Sequence, residues 1–182
     1  MGQEKNIRIA VESSIKQGKR DILIIPKFNN IDKIQEIRKK YDELYMKIMP
    51  HITLAFPFKS NISNKQLKQQ LLDITKNVKP FKIRCRGISF RKDERINKYY
   101  ILLNIIEGEE IINEINYKIY KNILKSINTQ KYNYDPHITL GTTNNLDEII
   151  ELNDEFETIV NSIVVEKIGE NEESIIESEI NL

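Results

Sequence analysis

The two histidines of the chain, His51 and His137, are the residues whose type and spacing point most directly to chemistry. Each lies in the same pentapeptide, Pro-His-Ile-Thr-Leu, at residues 50–54 and again at residues 136–140. An identical repeat of this length is unexpected by chance and indicates an internal duplication. Because side chains alternate along a strand, each histidine shares one face with the threonine two residues later, and the Ile and Leu share the other face.

Two such His/Thr faces that meet across a pseudo-two-fold axis would suit displacement at phosphorus. A neutral imidazole can take a proton from water or a ribose hydroxyl, and a protonated imidazole can give one to the leaving oxygen. The ordinary histidine pKa of about 6.5 makes both forms accessible near neutral pH. Threonine hydroxyls can donate hydrogen bonds to the non-bridging phosphate oxygens. This arrangement requires no metal ion or other cofactor.

The composition excludes several other classes of site and protein. A single cysteine rules out an intramolecular disulfide and a multi-cysteine zinc cluster, and the sequence holds no H-E-x-x-H, P-loop or G-x-G-x-x-G motif. With 40% hydrophobic and 30% charged residues, the 182-residue chain can fill the core of one globular domain and is neither disordered nor fibrous. The net charge of +1 predicts a local phosphate site and no dedicated DNA-binding patch.

Hydrophobic periodicity places the two motifs on strands within two similar halves. Each half reads strand, helix, strand, helix, strand, and a further strand ends the second half. The predicted strands are 21–26, 51–58, 81–90, 99–106, 137–143, 158–165 and 173–182. The predicted helices are 31–49, one that follows a Ser63–Gln66 capping box, 111–127 and 146–152. The pattern predicts an α+β fold of two pseudo-symmetric lobes, each an antiparallel-rich sheet with two helices, around a central cleft.

The polar stretch 91–98 is the expected boundary between the halves. We expect residues 1–19 to be an N-terminal extension and residues 20–182 to be one bilobal domain, with lobes at about 20–90 and 99–182. No segment resembles a signal peptide or a membrane span, so we expect a protein of the cytoplasm that contacts no membrane. We also expect the protein to be a monomer.

The paired motifs HITLAF and HITLGT resemble the signature of the two-histidine (2H) phosphoesterase superfamily. Within it, the sequence is similar to the bacterial LigT-type RNA ligase/cyclic phosphodiesterases and their small, poorly characterised phosphoesterase relatives. The resemblance covers residues from about 20 to 182. It implies that His51 and His137 are the catalytic acid and base, in an order that the sequence does not fix. It also implies that Thr53 and Thr139 bind the phosphate, with no metal, and that the substrate is a 2',3'-cyclic phosphate or a 2'-5' linkage.

Further residues are candidates for contacts with a nucleobase or with neighbouring phosphates. Arg84 and Arg86 alternate on one face of a predicted strand and form either a phosphate-binding stripe or a solvated sheet face. Tyr132 and Tyr134 precede the second motif and could stack on a base. The phenylalanines that follow the first motif are expected in the core.

The sequence therefore predicts a metal-independent phosphoesterase that acts on an RNA end or a cyclic nucleotide. A module that binds an RNA end or nucleotide in the same cleft without turnover is the alternative. A scaffold in which the duplication is only architectural is a weaker third interpretation.

Overall fold

An eight-stranded antiparallel sheet is the framework of the computed structural model, which describes residues 19–126, 134–146 and 150–182. Its strands are β1 Arg20–Ile24, β2 Ile52–Phe58, β3 Phe81–Asp93, β4 Lys98–Glu107, β5 His137–Thr143, β6 Glu155–Val160, β7 Ser162–Ile168 and β8 Ser174–Asn181. The described helices are α1 Ile31–Tyr41, α2 Asn64–Thr75 and α3 Glu109–Lys118, which continues into a π-helical turn at Ile119–Ile123. The predicted α+β class is confirmed.

The strand order, β6-β3-β4-β5-β2-β1-β7-β8, is symmetric about the pair formed by β5 and β2, the two strands with the repeated motif. The unit β1-α1-β2 of the first half corresponds to β4-α3-β5 of the second. Nevertheless, each sequence half contributes one strand to the other half's side of the sheet. β3 of the first half pairs with β4 and β6 of the second, and β7 of the second half pairs with β1 of the first. The bounds 20–90 and 99–182 therefore divide the sequence but do not divide the sheet into its two lobes.

One face of the sheet and the helices enclose the aliphatic core. All five residues of β1 are buried: the apolar Ile22, Leu23 and Ile24, and also the charged Arg20 and Asp21. Helix α2 begins at the predicted capping box, in which Ser63 and Gln66 bond each other's backbone, and it buries Leu67 and Leu71 completely. Within the described residues, no helix combines the length and apolar character needed to cross a bilayer.

Two predicted helices differ from the structure. Helix α1 stops at Tyr41, eight residues early, because Asp42 adopts extended dihedrals and its carboxylate accepts a hydrogen bond from the Leu44 amide. For the segment predicted as a helix at 146–152, the described residues 146 and 150–152 lie in turn or irregular structure, and residues 147–149 lie outside the description. The described part of the chain thus has three α-helices, not two in each lobe.

The other differences concern strand and helix ends. The predicted strand 158–165 is two strands, β6 and β7, because the chain changes its pairing partner around Asn161, from β3 to β1. The helix predicted at 111–127 changes to π-helical geometry after Lys118. Of the expected extension 1–19, only Lys19 is among the described residues.

Gly141 allows the end of α1 to approach the second motif strand. Its φ of +136° lies in a region that L side chains rarely adopt, and a Cβ atom there would clash with the Tyr41 carbonyl. Helix α1 of the first half therefore packs directly over β5 of the second half, as α3 packs on β2.

Candidate active site

The two motif strands meet at one residue pair, Ile52 opposite Ile138. Continuation of this antiparallel register places His51 opposite Thr139 and Thr53 opposite His137. All four side chains project to one face, since the flanking isoleucines are fully buried on the other. Cross-strand neighbours at such positions have Cβ atoms about 4.5–5.5 Å apart and diagonal pairs about 7–8 Å apart. The register thus forms a square of two imidazoles and two hydroxyls, each histidine beside the other motif's threonine.

Beyond the Ile52–Ile138 pair, side chains form hydrogen bonds with three backbone groups of β2. Asn116 donates from Nδ2 to the Leu54 carbonyl at 2.8 Å, and the Tyr134 hydroxyl donates to the Thr53 carbonyl at 2.8 Å. The Tyr120 hydroxyl accepts a hydrogen bond from the Phe56 amide at 3.1 Å. These contacts end the pairing of β2 with β5 without leaving these backbone groups unpaired, so the two strands can separate on either side of the site.

Each imidazole is oriented by a backbone carbonyl two residues before it. Nδ1 of His51 lies 2.9 Å from the Met49 oxygen, and Nδ1 of His137 lies 2.7 Å from the Asp135 oxygen. A carbonyl only accepts hydrogen bonds, so Nδ1 carries the proton in both rings. Nε2 of each ring is then the atom that can accept or, when protonated, donate a proton.

The surroundings of both rings favour the neutral imidazole. Burial lowers the pKa of His51 below its ordinary value of 6.5, and the positive charges of Arg38 and His137 lower it further. The carbonyl of Met49 and the carboxylate of Asp42 oppose this shift. Burial likewise lowers the pKa of His137, and the positive charge of Arg91 lowers it further by a smaller amount. The backbone carbonyl and the carboxylate of Asp135 oppose this shift.

A cleft with a volume of about 590 Å³ opens beside the second motif. It is lined by His137 and Thr139, by Leu102 and Tyr100 of β4, by Phe56 of β2, and by residues 91–95 of the β3–β4 hairpin. His51 and Thr53 do not line this cleft but adjoin it through the register of the β2–β5 pair.

Phe56 is the cleft residue that sequence reasoning placed in the core. The register of β1 against β2 shifts twice, between Thr53 and Ala55 and again between Ala55 and Phe58, so β2 carries an extra residue at each place. Phe56, between the two, turns outward, with 40% of its surface exposed. Pro57 was the available signal, because proline inside a strand often marks a bulge.

The basic residues of the hairpin are paired with neighbouring carboxylates. Arg91 binds Asp135, Lys92 lies 2.9 Å from Glu94, and Arg95 lies 2.7 Å from Asp93. The cleft rim is therefore polar and nearly neutral. Arg91 and Lys92 can exchange their exposed carboxylate partners for a ligand at low cost, whereas Asp93 is buried.

The candidate arginines Arg84 and Arg86 do not line the cleft. Arg84 bridges Glu155 at 2.7 Å and Glu107 at 3.3 Å, and Arg86 lies opposite Glu155 in the pairing of β3 with β6. Tyr134 packs against the core and holds β2, as described above, whereas Tyr132 lies outside the described residues.

Within the described residues, neither the single cysteine nor a metal-binding cluster adds a reactive group to this site. Burial raises the pKa of the Cys85 thiol to about 12, so it stays protonated at neutral pH. Among the described residues, no three His, Cys, Asp or Glu side chains converge as metal ligands would.

Comparison with solved structures shows the same fold. The E. coli LigT complex with 3'-AMP matches with a TM-score of 0.58 and 14% identity, over 91% of this chain and 98% of that one. TT0787 of Thermus thermophilus matches with a TM-score of 0.58 and 12% identity, over 90% of this chain and 97% of that one.

Curated bacterial relatives match in sequence over about two thirds of their length. A protein of Bacillus pumilus named "Putative phosphoesterase" is 26% identical over 121 residues, which is 66% of this chain and 67% of that protein. "Putative phosphoesterase GK0864" of Geobacillus kaustophilus is 28% identical over 125 residues, 66% of each chain. The family model described as the 2'-5' RNA ligase superfamily matches residues 26–169. Since this match spans most of the chain, the protein belongs to the 2'-5' RNA ligase superfamily, the two-histidine phosphoesterases.

Proposed function

We propose that the protein hydrolyses 2',3'-cyclic phosphates or 2'-5' phosphodiester bonds at RNA ends or in nucleotides, without a metal ion. One observation carries the proposal: the Ile52–Ile138 register sets both imidazoles and both threonine hydroxyls on one face of the sheet. The hydrogen bonds on Nδ1 leave both Nε2 atoms free for proton transfer.

His51 and His137 act as the general base and the general acid. The neutral imidazole takes a proton from water at Nε2 as the water oxygen attacks phosphorus. The bond from phosphorus to the ribose oxygen breaks, and that oxygen takes a proton from Nε2 of the other, protonated imidazole. Thr53 and Thr139 donate hydrogen bonds to the non-bridging oxygens, where negative charge develops. The orientation of the substrate decides which histidine is the base.

A nucleotide is the substrate class that the cleft supports best. Phe56 and Tyr100 supply aromatic surface beside His137 and Thr139, and bases of any type stack on aromatic rings. The solved complex of E. coli LigT with 3'-AMP supports the same class, since 3'-AMP is a possible product of cyclic phosphate opening.

The test compares turnover of three substrates in EDTA: a 2',3'-cyclic nucleotide, an RNA with a cyclic phosphate end and a 2'-5'-linked dinucleotide. We expect turnover of at least one and a bell-shaped pH profile. His51→Ala and His137→Ala should each lose activity on the order of a hundredfold or more. Lys65→Ala, an exposed position on α2, is the matched control and should keep wild-type activity.

The outcomes separate the function classes. Binding of 3'-AMP without turnover of any substrate would favour a nucleotide-binding module, and turnover that EDTA abolishes would refute metal independence. Synthesis of a 2'-5' linkage from RNA ends would show that ligation accompanies hydrolysis. The cytoplasmic location and the monomeric state stay predictions from the sequence.

A further inference from the structure

A fully buried arginine lies at the end of helix α1, next to the loop that leads to the first histidine. The Arg38 side chain is 1% exposed and uses three different nitrogens. Nε donates to Asp42 Oδ2 at 2.8 Å, Nη1 donates to Gln35 Oε1 at 3.0 Å, and Nη2 donates to the Ile48 carbonyl at 2.8 Å. Burial of an arginine is costly unless such partners neutralise it and satisfy its donors, so this arrangement fixes the loop closely.

The contact to Ile48 ties the helix to the orientation of His51. Ile48 immediately precedes Met49, whose carbonyl accepts the Nδ1 hydrogen bond of the ring. The buried Pro50 restricts the remaining backbone rotation between that carbonyl and the histidine. A displaced Ile48 would therefore carry the Met49 carbonyl with it and release the ring.

The second histidine has no buried ion pair of this kind beside it among the described residues; the backbone before Asp135 is held instead by Tyr134, which packs against the core and donates to the Thr53 carbonyl. The carbonyl partner of His137 belongs to Asp135, whose side chain is bound by Arg91, and the side chains of this ion pair are 56% and 49% exposed. An exposed pair of this kind holds geometry weakly. The two halves of the site are therefore supported differently, although their motifs are identical.

We propose that Arg38 is a positioning residue for His51, which it holds with Nδ1 protonated and Nε2 directed to the substrate. Only the expected effect of Arg38 on turnover rests on the proposed function. Arg38 touches neither Nε2 nor the phosphate site, so it acts through the backbone of residues 48–49 and through its charge.

Three charged or titratable groups act on His51, from three elements: Arg38 on α1, Asp42 on the following loop and His137 on β5. Arg38 lowers the pKa of His51 by more than Asp42 raises it. Removal of both side chains together tests this support without leaving an unpaired buried charge.

The experiment exploits the fact that the chain has only two histidines. Nitrogen NMR of the full chain reports the tautomer and the titration of both rings, and the His51→Gln variant assigns the signals. In Arg38→Met/Asp42→Asn we expect His51 to lose its Nδ1–H preference, with the tautomer of His137 unchanged. With a cyclic nucleotide we expect kcat to fall between about 10- and 100-fold, as for a misplaced catalytic group, and KM to stay within about twofold.

Two controls separate positioning from general destabilisation. Leu67→Ala removes a fully buried side chain on α2 and should lower stability without moving either imidazole signal. Arg91→Met should alter the titration of His137 and leave that of His51 as it is.

An unchanged His51 tautomer in the folded double variant would overturn the proposal. If that variant does not fold, Arg38→Lys provides the same test, because one ammonium group cannot reach Gln35, Asp42 and Ile48 together. Loss of the tautomer preference there supports positioning, and its retention refutes it. Altered His51 signals in a chain whose wild type turns over no substrate would refute the proposed function but keep the positioning role.

Discussion

A buried pair of carboxyl groups in the lobe of the first motif gives a sharp prediction about stability. Asp21 of β1 lies directly opposite Glu166 of β7, and the two residues are 6% and 3% exposed. Ser174 donates a hydrogen bond to Glu166 Oε2, whereas Oδ1 of Asp21 is buried without a hydrogen-bond partner. Burial and the negative charge of Glu166 raise the pKa of Asp21 from 3.8 to about 8.

This shift makes stability fall as the pH rises. Between pH 3.8 and about 8 the folded chain holds a proton on Asp21 that the unfolded chain has released, so a rising pH favours unfolding. About 4 pKa units at about 1.4 kcal/mol per unit give a loss on the order of 5 kcal/mol across this range. The stabilisation is complete below pH 3.8 and is gone above about pH 8.

Asp21→Asn tests this magnitude directly, since an amide of the same shape cannot ionise and can donate to Glu166. We expect the difference in unfolding free energy, variant minus wild type, to increase by several kcal/mol between pH 5 and pH 9. Urea denaturation at pH 5, 7 and 9 measures it, because the titration of groups that do not interact with Asp21 cancels in the difference, and Glu166 is the coupled exception.

Asp93→Asn is the matched control of opposite sign. Its hydrogen bonds with Arg95 lower the pKa of Asp93 to about 2, so the variant should lose stability by the same amount at all three pH values. A difference for Asp21→Asn that is constant from pH 5 to pH 9 would show that Asp21 is already ionised in the folded chain and would refute the reasoning.

Three further substitutions test the cleft and its supports. Phe56→Leu should raise KM for a cyclic nucleotide about tenfold by loss of stacking, with kcat little changed; Phe90→Leu, equally exposed at 39% but outside the cleft, should leave KM as it is. Gly141→Ala should destabilise the fold by well over about 1 kcal/mol in urea denaturation, whereas Gly87→Ala, also at positive φ but with its nearest contact at 3.8 Å, should cost much less. Tyr134→Phe should cost about 1 kcal/mol of stability through the lost bond to Thr53, and an increased KM would instead support a contact with the nucleobase.

Local patterns in the sequence were sufficient for most elements. The apolar run at Asp21, the Ser63–Gln66 capping box and the alternation around each histidine all predict structure within a few residues, and the structure has those strands and that helix start. Failures occurred where a distant contact overrides the local pattern. The apolar spacing continues to Ile48, yet α1 ends at Tyr41, and the buried Arg38 spans the gap to Ile48.

The β-bulge at Phe56 is a second case of this kind. The extra residue between Thr53 and Ala55 reverses the faces of the strand, so Phe56 enters the cleft although simple alternation assigns it to the core side with Leu54. Such a shift depends on the partner strand, whose identity no local pattern contains.

The sequence by itself determined the chemical groups of this site: two imidazoles, each with a hydroxyl on the same face of its strand, within a duplicated chain. Only the tertiary structure decided how the groups combine, because strand partners and register depend on packing between distant segments. The Ile52–Ile138 pair sets each histidine beside the other half's threonine, and the exchange of β3 and β7 joins both halves in one sheet. The tertiary structure also made identical motifs unequal, with a buried arginine behind His51 and an exposed ion pair behind His137.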